Sequence, residues 1–230
     1  MRKLLAVFAV GVLASATSAV AIAQDQVQNE LNGSIQIMKE LTGPHTTAGI
    51  PNDVLKGAKC VAVIPKMLKG GFVLGIQHGA GIATCRLAGG RWSPPAPFDL
   101  SGASFGAQIG GEEMGYVMMI MNDKGMQALN SGHFKLGAGV NAAAGPVGRD
   151  ASASGGWDAA ILTYARAKGI YAGATLSGDE LNQDHKATKE LYGKEEPLSA
   201  ILNGKVKMPA QGPARKFVET ISHDVQSAAK

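Results

Sequence analysis

The side chains able to do chemistry are few and scattered. The five histidines, His45, His78, His133, His185 and His223, form no HExxH or other close pair, so their spacing offers no metal site. No serine sits in GxSxG, and no GxxxxGK[ST] run is present to cradle a phosphate. Gly137-Ala138-Gly139 opens like a dinucleotide loop, but Ala142 stands where the next glycine is required. Glu112 and Glu113 are adjacent, so on a strand they point to opposite faces. Asp179 and Glu180 suit the first turn of a helix, where carboxylates complement the dipole. With no template matched, the expectation is a protein that is not an enzyme and uses no cofactor or metal.

Two features carry more information. Cys60 and Cys85 are the only cysteines. In an oxidising compartment they can bridge; as free thiols they would be small buried apolar groups, and the sequence leaves both open. Lys56, Lys59, Lys66, Lys69, Arg86 and Arg91 bracket three short β-rich segments, and Lys66 and Lys69 flank Met67-Leu68. An apolar pair between lysines at a loop tip suits a lipid interface, with the lysines at the phosphates. The same pattern also suits a solvated turn whose apolar residues cap the core.

The elements that must position these residues follow from periodicity. Val27, Leu31, Ile35, Met38 and Leu41 form one face of a helix over 27–41. Gln28, Asn29, Glu30, Asn32, Gln36, Lys39 and Glu40 form the other. Such a helix either packs on the core or lies on a lipid surface. Cys60 to Ile64 reads as a strand ending at Pro65, and residues 71–87 as two strands joined at His78-Gly79. Alternation predicts a strand over 104–111 and another from Tyr116 to Met121. Residues 122–132 read as a short helix capped by Asn122 or Asp123. Gly137 to Ala142 reads as a strand with one bare face, followed by a proline-set turn in which Arg149 and Asp150 can pair. A hairpin is expected around Lys168-Gly169, then helices over 179–192, 197–202 and 213–229.

Met1 to Ala23 has a basic start, an apolar run and an Ala-Ile-Ala end, the pattern of a cleaved signal peptide of bacterial type. The expectation is a single domain over 24–230, periplasmic or secreted, peripheral on a membrane. The net charge is +4, and Arg2 and Lys3 of the leader supply half of it. That field is too mild to argue for nucleic acid, and it permits an anionic membrane partner. The fold class expected is α+β: a glycine-rich, strongly curved antiparallel sheet or barrel, an N-terminal amphipathic helix and C-terminal helices.

The stretches AKCVAVIPKMLKGGFVLGIQHGAG, RWSPPAPFDLSGASFGAQIGGE, GHFKLGAGVNAAAGPVGRD and ILTYARAKGIYAGATLSGD follow one another in an order that resembles the SYLF family of lipid-binding domains. The resemblance runs from about Val27 to Ser222. It implies lipid binding, of phosphoinositides in eukaryotic members, where the domain is joined to SH3 or FYVE modules and linked to actin and membrane remodelling. It also implicates a helix at the start of the domain, matched here by Val27 to Leu41. That helix lacks a basic polar face, and a bacterial envelope suggests an anionic phospholipid in place of a phosphoinositide. The expected lipid-binding residues are Leu31, Ile35, Met38, Lys66, Lys69, Arg86 and Arg91. The alternatives are a structural or protein-interaction module of the envelope, and a carrier enclosing an acyl chain.

Overall fold

Long antiparallel strands set the architecture. The computed structural model describes residues 26–43, 49–71, 74–105, 108–138, 140–148, 159–167, 170–174, 176, 178–210 and 212–229. The expected leader, His45 and the Arg149–Asp150 pair lie outside them. Helix α1 spans residues 26–42 and α2 spans Asn52–Gly57. Strands β1 (Cys60–Gly71) and β2 (Leu74–Cys85) form a long antiparallel ladder. Strand β3 (Ala96–Phe105) pairs with β2, and β4 (Gln108–Ile120) pairs with β1. Helix α3 (Asp123–Asn130) and the short strands β5 (His133–Lys135) and β6 (Ala142–Ala144) follow. Next come β7 (Ile161–Ala167), β8 (Ile170–Gly173) and β9 (Glu180–Gln183). Helices α4 (His185–Tyr192), α5 (Leu198–Leu202) and α6 (Ala214–Ala228) end the chain.

Among the described residues the sheet has nine strands in the order β5-β9-β3-β2-β1-β4-β7-β6, with β8 also on β7. Every pair is antiparallel except β6 with β7. The sheet is strongly curled, and chain connectivity requires it. At one end Phe105 (β3) pairs with Leu74 (β2), Gly75 (β2) with Gly71 (β1), and Gly71 with Gln108 (β4), which leaves Phe105 and Gln108 outermost. Three flat strand spacings would separate the outer two by about 14 Å. Three Cα steps span at most about 11 Å, so β3 and β4 must bend toward each other.

Both sheet faces are buried. On one, Val61, Val63, Ile82, Val117, Met119 and Tyr164 meet α1, α2 and α6. On the other, Ala62, Ile64, Met67, Phe98, Leu100 and Met118 pack with apolar residues of α3 and α5. Helix α6 shows why its sequence is helical: Phe217, Val218, Ile221 and Val225 share its buried face. Helix α3 is capped as expected, the Asn122 side chain accepting from the Gly125 N–H at 3.0 Å.

Several expected boundaries move. Strand β1 continues through Pro65, because the register shifts between Val63 and Lys66 and a bulge needs no ladder N–H from proline. Residues 74–85 form one strand, with no turn at His78-Gly79. The alternating stretch 104–111 is the end of β3 and the start of β4. The helix expected from Asp179 starts only after Asp184, whose side chain accepts from the Ala187 N–H at 2.8 Å; Glu180–Gln183 is β9. Gly137 lies in a turn with φ 84°, so the glycine-rich stretch is a turn followed by the short β6. Gly145 then packs on the Tyr164 ring, where a Cβ would fall 2.2 Å from Cζ.

Candidate functional site

Helix α1 crosses the sheet on the face it shares with α2 and α6, and its apolar stripe points inward. Leu31, Ile35 and Met38 are 0, 5 and 0 % exposed. Gly33 meets Pro65 of β1, and Ile37 fills the space above Gly115 of β4. Further along, the Arg166 Nε of β7 lies 2.7 Å from the Glu40 carboxylate. The Thr42 hydroxyl donates to Asp224 of α6 at 2.8 Å. In this conformation the three helical residues expected to meet lipid are core residues. Glu30, read from periodicity as part of the polar face, is only 9 % exposed, and its Oε2 has no hydrogen-bond partner. Burial pushes its carboxyl up to about 7; a hydrogen bond from Gln26 works against this, and Asp184, Asp99 and Glu190 add to it.

The exposed apolar surface lies elsewhere. Leu68, Ile76, Val147 and Ile170 are the large apolar side chains exposed among the described residues, at 50, 77, 40 and 73 %. Leu68 and Ile76 are diagonal neighbours on the β1–β2 ladder, since Leu68 pairs with His78 and Ile76 with Gly70. Ile170 begins β8 opposite Ala167, and Arg166 beside it pairs with Gly115 of β4. The β7–β8 hairpin therefore points to the same end of the sheet as the β1–β2 hairpin. Three of the four exposed apolar side chains thus lie toward one end, Leu68 and Ile76 on the sheet face that carries α1 and Ile170 on the other face.

Lys66 is exposed there, two residues before Leu68 and on the same face of β1, with buried Met67 between them. Lys69 is turned onto the Tyr116 ring, its Nζ 5.6 Å from the centroid. His78 Nε2 lies 3.6 Å from Asp99. The exposed parts of Leu68, Ile76 and Ile170 amount to about two side chains, or about 3–6 kcal/mol on transfer to an apolar phase. Each nearby cation adds about 1 kcal/mol at an anionic surface. Transfer of that apolar area alone corresponds to an affinity around the millimolar mark.

Arg86 and Arg91 lie at the opposite end. Lys69 pairs with Gln77, and eight further residues of β2 lead to Cys85, about 27 Å along the strand. Arg86 Nη2 donates to the Lys56 carbonyl at 3.0 Å, and its Cζ sits 5.3 Å from the Trp92 ring centroid. Arg91 is exposed beyond it. The Cys60 and Cys85 sulfurs are bonded, 2.03 Å apart, between residues directly opposite in the ladder. The structure therefore groups Lys66 and Lys69 at one end and Arg86 and Arg91 at the other.

A buried pair had no signal in the sequence. Gln77 donates to the carboxylate of Asp179, and both are buried. A Cβ on Gly102 would fall 1.7 Å from Asp179 Oδ1, so β3 needs glycine there. Burial raises the Asp179 carboxyl, while Gln77 and Lys69 lower it. Asp179 thus holds the start of β9 to β2 and β3 instead of opening a helix. Four histidines sit beside carboxylates: His78 by Asp99, His133 by Glu180, His185 by Glu195 and His223 by Asp224. Among the described residues no three His, Cys, Asp or Glu side chains are grouped to hold a metal.

The class defined by this geometry is an α+β domain around a curled, glycine-rich sheet, with its distinctive groups at the sheet ends. The family whose profile matches residues 101–223 is described as Ysc84, "Las17-binding protein actin regulator", and this chain belongs to that Ysc84/SYLF family. It is 31% identical over 204 residues to Protein YSC84 of Saccharomyces cerevisiae, covering 84% of this chain and 43% of the yeast protein. LAS seventeen-binding protein 3 of the same species is 32% identical over 204 residues, covering 84% of this chain and 44% of its own length. SH3 domain-containing YSC84-like protein 1 of Mus musculus is 31% identical over 192 residues, covering 80% and 56%. The chain spans about half the length of these relatives. Of these, LAS seventeen-binding protein 3 is named for binding Las17, as is the family model itself. No solved structure matches the chain.

Proposed function

We propose that this protein is a non-enzymatic module that binds an anionic phospholipid surface in a bacterial periplasm, after removal of residues 1–23. Contact is made by the sheet end that carries Leu68, Ile76 and Ile170, with Lys66 and Lys69 beside it. The observation that carries this reading is the confinement of three of the four exposed large apolar side chains to one end. Such side chains on separate hairpins can enter a bilayer interface together, while lysines meet headgroup phosphates. Helix α1 serves as the scaffold under this end, because its stripe is already buried.

A protein partner is the second reading, favoured by relatives named for binding Las17. An enclosed acyl chain is disfavoured, because fully buried Met67, Phe98, Leu100 and Met118 fill the sheet face that would hold it. Flotation with phosphatidylglycerol-containing vesicles and with neutral vesicles tests the proposal. The protein should float with the anionic vesicles and lose this with added salt. Absence from both fractions refutes lipid binding and leaves the protein partner.

A further inference from the structure

We propose that the cavity at the disulfide end of the sheet is an oxyanion site, where Arg86, Lys56 and Lys59 bind a phosphate group. The cavity holds about 370 Å³ between α2, the end of the β1–β2 ladder and α3. Its wall is completed by Leu87, Ala88 and Met126. This inference is independent of the membrane reading, because it concerns the other end of the molecule.

Arg86 is the reason. Its guanidinium is held in place by the Lys56 carbonyl and by the Trp92 ring. Its Nε is buried without a hydrogen-bond acceptor, and among the described residues no carboxylate forms an ion pair with it. Desolvation lowers its pKa, with no acid offsetting the effect. A partly buried cation without a counter-charge is costly, and a bound anion removes that cost. Lys56 and Lys59 do have acidic partners, Asp53 at 3.6 Å and Asp123. Both aspartates are about two-thirds exposed and neither lines the cavity, which leaves one net positive charge facing it. A planar fork beside two ammonium groups suits the several oxygens of phosphate better than the two of a carboxylate.

The disulfide has a role in this site. Lys59 and Arg86 directly flank Cys60 and Cys85, and the Arg86 N–H donates to the Lys59 carbonyl at 2.7 Å. The covalent link keeps two like charges adjacent that would otherwise separate. A preorganised cation pair binds an anion without first paying for its assembly.

Thermal unfolding with increasing inorganic phosphate, at constant ionic strength made up with chloride, tests the site. The midpoint should rise with the logarithm of phosphate concentration, beyond any chloride effect. Arg86→Gln should weaken phosphate binding at least tenfold, and Lys56→Gln severalfold. Lys135→Gln, on the edge strand β5 and outside the cavity wall, should respond like wild type. Reduction of the disulfide should weaken binding in protein that still unfolds cooperatively. Glycerol 3-phosphate binding as well as phosphate identifies the phosphate group itself as the ligand. No midpoint rise beyond chloride overturns the proposal, as does an Arg86→Gln response equal to wild type. Binding only to anionic vesicles, through Arg86 and with neither soluble probe, also overturns it and makes this end a second lipid contact. Should Arg86→Gln fail to fold, Lys56→Gln and phosphate calorimetry on wild type carry the same decision.

Discussion

Ile37 of α1 occupies the space that a side chain on Gly115 would need: a Cβ built there falls 2.3 Å from Ile37 Cδ1. This contact seats α1 on β4 as a structural helix. Gly115→Ala should therefore cost about 1–3 kcal/mol through overpacking. Leu31→Ala, which empties a fully buried position, should cost about 2–5 kcal/mol. Urea denaturation measures both, and an unchanged midpoint for Leu31→Ala contradicts the packing described for α1.

At the sheet end the opposite result is expected. Leu68→Ser with Ile76→Ser should change stability by less than about 1 kcal/mol, because both side chains already face solvent. The same double variant should lose most vesicle binding in flotation. Retained binding moves the contact elsewhere on the molecule.

Glu30 makes stability depend on pH in a defined direction. Unfolded, its carboxyl titrates near its ordinary 4.5; buried, it titrates near 7. Between those values the folded protein holds a proton that the unfolded chain releases, so stability falls as pH rises from about 4.5 to 7 and then levels. The full effect is about 3 kcal/mol. Asp184 and Glu190 of α4 and Asp99 of β3, with His78 beside Asp99, face the same region. Glu30→Gln should remove this part of the pH dependence and stabilise the protein at pH 8. Identical urea midpoints for the two proteins from pH 5 to 8 contradict it.

The Cys60–Cys85 link closes a loop with a sequence separation of 25 residues. Its reduction should cost about 3 kcal/mol through the entropy regained by the unfolded chain. Thermal unfolding with and without reductant measures this, and an unchanged midpoint contradicts it.

The sequence was readable where one face decided the element. The stripe of α1, the cap of α3 and the glycine and proline breaks ahead of α6 all predicted the observed helices. It misled where glycine and proline served contacts instead of turns. His78-Gly79 looked like a break in β2, yet the strand runs on through Gly79 and Gly81. They are small because added Cβ atoms would fall 2.7 Å from Ile64 Cγ2 and 2.5 Å from Phe98 Cζ. Pro65 looked like a strand end and lies at a bulge. Glu30 looked solvated because periodicity on one helix does not show that α4 and β3 approach its polar edge. The exposed end was half legible: Met67-Leu68 between lysines pointed to it, but Met67 is core, and only strand pairing brings Ile76 and Ile170 to the same end.

Hydrogen exchange by mass spectrometry, with and without phosphatidylglycerol vesicles, tests the central claim most directly. Exchange should slow in peptides covering residues 66–80 and stay unchanged across α1. Altered exchange in residues 26–42, with 66–80 unaffected, would contradict that claim and return the membrane contact to the helix.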